Sequence, residues 1–169
     1  LLCNPDGTPV DIADTVNYPI MPASSITVFI GSDKAKQRKV AVKELLARSE
    51  LSICRGDVAY LVLAEPGLDQ RTPIRRPPPV FGETIVVTGW GFTSDRAEER
   101  TALPNVRGTV DARILDYGPP ALPPGVFSVS GNSLCLGDSG AGALEDGSVI
   151  GTYSRIEDGA IHAVNTFGH

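Results

Sequence analysis

Ser139 is the residue whose surroundings point most directly to chemistry. It stands in Gly137-Asp138-Ser139-Gly140, directly after an acid and flanked by glycines. Glycine costs the backbone little in a tight turn, so successive N–H groups can converge on one point. A serine hydroxyl on such a turn is exposed to a substrate, and the N–H groups of Gly137 and Ser139 can together hold a developing oxyanion. That is equipment for acyl transfer by a serine nucleophile. The same residues also describe an ordinary glycine-rich hairpin turn, because turns favour them.

Two other serine-hydrolase patterns fit less well. An elbow of the form Gly-x-Ser-x-Gly needs glycine where Ala141 stands, and a helix after it that this sequence does not signal. A lipase of the Gly-Asp-Ser type carries its motif near the N-terminus, with Asp-x-x-His far downstream. Here the motif is near the C-terminus, and neither His162 nor His169 follows an aspartate by three residues.

The second candidate is Asp57, which leads Val58-Ala59-Tyr60-Leu61-Val62-Leu63. An apolar run of this kind reads as a buried strand. The acid at its entrance either caps backbone N–H groups or is a placed functional group. A carboxylate that orients an imidazole must stay ionised, which a partly buried, hydrogen-bonded site achieves. The tripeptide Arg55-Gly56-Asp57 is set aside as an adhesion signal, because an acid leading a buried strand is not displayed.

The rest of the chain must position these groups. It has 169 residues, enough for one large domain or two small ones. At 41% hydrophobic it can form a real core, and 18 glycines with 14 prolines suit many short strands and turns. A net charge of -5 speaks against general nucleic-acid binding. No apolar run reaches the length of a membrane span. No signal peptide is visible, so any such segment is removed or lies outside these residues. With 3 cysteines, one thiol is left over or pairs with a segment not present.

In chain order, residues 1–24 read as an irregular loop, with turn chemistry at Asn4-Pro5-Asp6-Gly7 and prolines at 9, 19 and 22. So long an opening loop leads us to expect a preceding segment. Residues 26–30 read as a strand. The basic stretch 34–39 reads as a solvated turn. Residues 40–46 fit strand or helix, and the alternation of Val40 and Val42 favours strand. Residues 71–79, with four prolines and three arginines, form a stiff exposed linker. Thr84-Ile85-Val86-Val87-Thr88-Gly89-Trp90-Gly91 reads as a strand ending in a glycine turn. Strands are also expected over 106–115, 126–130 and 160–164. Asp146-Gly147, between Ala143-Leu144 and Val149-Ile150, signals a hairpin whose return strand runs to Ser154.

Three of these stretches, in this order, resemble the trypsin/chymotrypsin-like serine proteases: the strand led by Asp57, the Gly-Trp-Gly strand end at Gly89-Trp90-Gly91, and Gly137-Asp138-Ser139-Gly140. The resemblance covers roughly the last three-quarters of such a protease domain. It implies an all-β fold of two antiparallel six-stranded β-barrels with the active site between them. Residues 1–70 would be the later part of an incomplete first barrel, 71–82 the linker, and 83–169 the second barrel. It also implies roles. Ser139 is the nucleophile, Asp57 the triad acid, and Gly137 and Ser139 the oxyanion hole. Ser154 pairs its backbone with substrate. Asp138 is the acid of an activation ion pair with an N-terminal ammonium.

The sequence departs from the family pattern at several points. The family carries its histidine in Thr-Ala-Ala-His-Cys, upstream of the aspartate, and no histidine precedes Asp57 here. A second chain or a removed N-terminal segment is therefore expected to supply it, and this chain alone to be inactive. His162, in the last strand, is in a structural position. After Gly140 the family continues Gly-Pro, whereas this chain has Ala141-Gly142. The chain stops at His169, where the family normally adds a C-terminal helix. The gap between Asp57 and Ser139 should hold a histidine from another chain, solvent or a collapsed loop, the last because Asp138 lacks its ammonium and an unpaired buried carboxylate is costly. By the resemblance Cys3 pairs with Cys54, and Cys135 is left over. Ser133, at the base of the primary pocket, is not an acid, so Arg or Lys specificity is not expected. Ile156 should narrow that pocket toward small apolar side chains.

The expectation is thus a secreted or periplasmic serine endopeptidase acting on a peptide or protein substrate. No cofactor, metal, nucleic acid or membrane is expected to take part. The rival is a non-catalytic binding module on the same fold.

Overall fold

A computed structural model describes residues 20–47, 57–66, 71–93, 104, 107–130, 134–157 and 161–166. Nine strands carry the architecture: β1 (Thr27–Ile30), β2 (Arg38–Ala47), β3 (Ala59–Leu63), β4 (Thr84–Gly89), β5 (Gly108–Tyr117), β6 (Val126–Ser130), β7 (Gly142–Glu145), β8 (Ser148–Glu157) and β9 (Ile161–Thr166). Short 3-10 turns at Ala23–Ser25 and Lys34–Lys36 are the only helical elements among the described residues.

β1, β2 and β3 form a three-stranded antiparallel sheet in that order. The ambiguous 40–46 stretch is strand, as the Val40 and Val42 alternation indicates, and these two side chains are buried. β3 departs from expectation. Its apolar run reads as buried, yet Tyr60, Leu61 and Val62 are 44%, 40% and 37% exposed. The reason is topological. β3 is an edge strand of a three-stranded sheet, and an apolar strand is buried only where another layer covers it.

The remaining six strands close into a barrel in the order β4-β5-β6-β9-β8-β7, with β7 pairing back to β4. Closure leaves no strand edge in this barrel. Period-two alternation buries Ile85 and Val87 of β4 and Ala112 and Ile114 of β5, while β6 is buried on both faces and adds Phe127 and Val129 to the same core. β7 and β8 meet at the two-residue turn Asp146-Gly147, where both φ angles are positive, 45° and 73°. That is the hairpin chemistry the sequence signals.

Residues 71–82 are held against the barrel. Ile74 bridges Val149 of β8, flanked by bonds from Arg75 N–H to Val149 O and from Val149 N–H to Pro73 O. Arg75 also bonds the carbonyls of Pro77 and Pro78 and pairs with both Glu83 and Glu145. The segment that reads as a stiff exposed linker is largely exposed, and it is also fastened along one wall of the barrel.

Candidate active site

Ser139 sits on the turn leading into β7, and its neighbours explain the shape of that turn. The N–H groups of Asp138, Gly140 and Ala141 donate within the chain, to Cys135 O, Tyr153 O and Asp138 O. The N–H groups of Gly137 and Ser139 donate to nothing among the described residues. Gly137 has φ of 95°, a left-handed conformation that a side chain would strain, and this turns its peptide out of the internal bonding pattern. Two neighbouring donors at an exposed turn are what an oxyanion requires.

Asp138 points the other way, into the protein, and is 7% exposed. Its Oδ1 accepts the Gly91 N–H at 2.7 Å and its Oδ2 accepts the Cys135 N–H at 3.0 Å. Of the outcomes open for this loop, collapse around an uncompensated carboxylate is not the one observed. Two backbone donors instead satisfy it in a regular turn, since bonds to a charged acceptor are the stronger kind. Sequence reasoning missed these partners. A signal exists in Gly89 and Gly91 flanking Trp90: a Cβ on either would overlap the Asp138 carboxylate.

Ser154 links the nucleophile loop to Asp57. Ser139 Oγ donates to Ser154 O at 3.4 Å, and Ser154 Oγ donates to Asp57 Oδ2 at 2.7 Å. The first bond is long and therefore easily exchanged for a better acceptor. The covalent path across one serine spans at most about 5 Å, so Asp57 Oδ2 and Ser139 Oγ lie within about 11 Å of each other. An imidazole making two hydrogen bonds needs about 7–8 Å between such atoms. Asp57 itself is exposed, rather than partly buried as its strand suggested, because β3 is uncovered. Ser154 is 9% exposed.

Two other expected site residues lie close by in the chain or in space. Ile156 lies two residues beyond Ser154 on β8 and pairs with His162 of β9. Cys135 is buried beside Asp138. Ser133, Cys3 and Cys54 lie outside the described residues. Arg107, which sequence reasoning did not single out, lines a cavity of about 290 Å³ together with Trp90, Gly137 and Ser139.

No protein-family model matches this chain, and no curated protein matches it in sequence. Solved structures do. Neuropsin, a serine protease expressed in the limbic system of mouse brain, is 17% identical with a TM-score of 0.68, covering 83% of this chain and 73% of its own. The scabies mite inactivated protease paralogue S-D1 is 17% identical with a TM-score of 0.72, covering 87% and 73%. A mutant of human heparin binding protein is 16% identical with a TM-score of 0.67, covering 83% and 70%. The chain has the fold of the trypsin-like serine proteases. A likeness at this identity concerns the fold alone, so chemistry must be argued from the site.

Proposed function

We propose that this chain is the greater part of a secreted serine endopeptidase whose nucleophile is Ser139. The observation that carries the reading is the Ser154 bridge: one residue touches Ser139 through its carbonyl and Asp57 through its hydroxyl. A chance turn serine has no reason to be tied to that particular acid.

In this mechanism a histidine from outside the 169 residues, on a preceding segment or a second chain, stands between Asp57 and Ser139. Asp57 holds its tautomer and stabilises the imidazolium. The imidazole takes the Ser139 proton as Oγ attacks the peptide carbonyl, then gives a proton to the leaving amine. The Gly137 and Ser139 N–H groups receive the oxyanion. Ser154 O pairs with the backbone of the acyl side of the substrate. Asp138 sets the loop that aims the two donors. Ser133 and Ile156 would line the pocket for the residue before the scissile bond and favour small apolar side chains there. No cofactor or metal is needed for these steps.

The test is peptide hydrolysis. The chain alone should show none, because Ser139 then lacks a base. Joined to a segment carrying the histidine it should cleave after small apolar residues, and S139A should abolish this.

A second reading is a non-catalytic binding module. It is favoured by two structural neighbours described as inactivated protease paralogues of the scabies mite. Failure of every histidine-restored form to cleave, with the fold intact, would select it.

A further inference from the structure

We propose that Arg107 and Lys34 select an acidic side chain on the leaving-group side of the scissile bond. This inference rests on the serine endopeptidase reading and adds a specificity to it.

Strand order fixes which side of Ser139 is involved. The barrel runs β8-β7-β4-β5. Ser154 is on β8, Ser139 leads into β7, and Arg107 stands directly before β5. Ser154 and Arg107 therefore flank the nucleophile loop from opposite directions. If the acyl portion lies along Ser154, the departing portion extends over β4 toward β5. Two strand spacings amount to about 10 Å. An extended peptide advances about 3.3 Å per residue, so an arginine side chain there meets the first or second residue after the cleaved bond.

The cavity on this side has the matching chemistry. Its wall includes Ser139, Gly137, Trp90 and Arg107, and excludes Ser154 and Asp57. The Arg107 backbone is anchored, its N–H donating to Ser32 O at 3.2 Å. Its guanidinium makes no hydrogen bond or ion pair among the described residues, although it is exposed beside the nucleophile. Lys34 adds a second cation, with Nζ 5.6 Å from the centroid of the Trp90 ring. Among the described residues, the two acids nearest this charge are engaged elsewhere. Asp138 lines the cavity, but its two oxygens accept from Gly91 and Cys135. Asp33 accepts from Ala35 N–H and pairs with Lys36 at 3.8 Å. Although the chain carries a net charge of -5, the described residues on this side of the nucleophile present two cations, Arg107 and Lys34. Their complement is a Glu or Asp side chain, which a guanidinium can bind with two parallel bonds.

The chain provides its own reporter, because it has 1 tryptophan and Trp90 lines this cavity. Two product-like tripeptide amides, Ala-Glu-Ala-amide and Ala-Gln-Ala-amide, serve as probes, their amino ends standing for the departing amine. Titrated against Trp90 fluorescence, the Glu peptide should bind roughly fivefold tighter, the upper range for a partly exposed ion pair. The difference should shrink with added salt. It should fall in Arg107→Ala and in Lys34→Ala, vanish when both are replaced, and persist in part in Arg107→Lys, with circular dichroism unchanged. Equal affinities, a preference unaltered in Arg107→Ala, or no saturable change with either peptide would each overturn the proposal. Labelling of Ser139 by a fluorophosphonate, measured separately, tells the two readings apart. Acid preference without labelling keeps the cavity and removes the protease. Labelling without acid preference does the reverse.

Discussion

Asp57 and Ser154 stand 97 positions apart, and the Ser154 hydroxyl donates to the Asp57 carboxylate at 2.7 Å. The bond joins the entrance of β3, in the three-stranded sheet, to β8 in the closed barrel. It also holds one carboxylate oxygen in place, leaving the other for an imidazole. Ser154→Ala, in the histidine-restored enzyme, should lower kcat/KM about tenfold, the scale of a lost hydrogen bond to a charged group. The thermal midpoint should hardly move, because Asp57 is exposed and can be hydrated. A kinetic assay paired with a melting curve separates the two effects.

The Asp138–Gly91 contact predicts a second pair of effects. Asp138→Ala removes the carboxylate that accepts from the buried Gly91 N–H and from the Cys135 N–H, costing about 2–4 kcal/mol. Gly91→Ala drives a methyl group into the same carboxylate and should cost about 1–3 kcal/mol. Both should loosen the Ser139 turn. Urea unfolding gives the stabilities, and amide hydrogen exchange at residues 137–141 gives the local effect.

Arg75 predicts a stability effect away from the site. Its side chain is 16% exposed and sits between Glu83 and Glu145, which are 24% and 18% exposed. Arg75→Ala leaves two half-buried carboxylates facing each other and releases the Pro77 and Pro78 carbonyls. A loss of about 1–3 kcal/mol is expected. Limited proteolysis should then cut within residues 71–82 first.

Tyr117 predicts a response to alkali. It packs on the barrel core, and burial raises its phenol above the usual value. The folded state therefore holds this proton more tightly than the unfolded chain. Its contribution to stability is fully present below the ordinary tyrosine range and is lost as pH rises through the raised folded value. Urea midpoints measured on the alkaline side should fall less steeply with pH in Tyr117→Phe than in the parent.

What the sequence makes legible is what local pattern encodes. Ile85 and Val87 alternate because one face of β4 is the barrel interior, and Asp146-Gly147 marks its hairpin because both positions need positive φ. The turn bearing Ser139 is readable for the same reason. Exposure of β3 is not, since an apolar run does not state whether a second layer covers it. The partners of Asp138 are not readable either, because the Gly91 N–H comes from 47 positions away. Nor is the Arg75 clamp: a proline-rich stretch looks like a tether until the carboxylates of Glu83 and Glu145 are brought to it.

The most direct measurement is the site of covalent labelling by a fluorophosphonate, read by peptide mass mapping. In the chain carrying a supplied histidine, the label should fall on Ser139, and Asp57→Asn should slow its incorporation strongly. In the chain without that histidine, labelling should be no faster than for an ordinary serine. Label on a serine other than Ser139, or an intact fold that takes no label with the histidine restored, would contradict the account and leave a binding module.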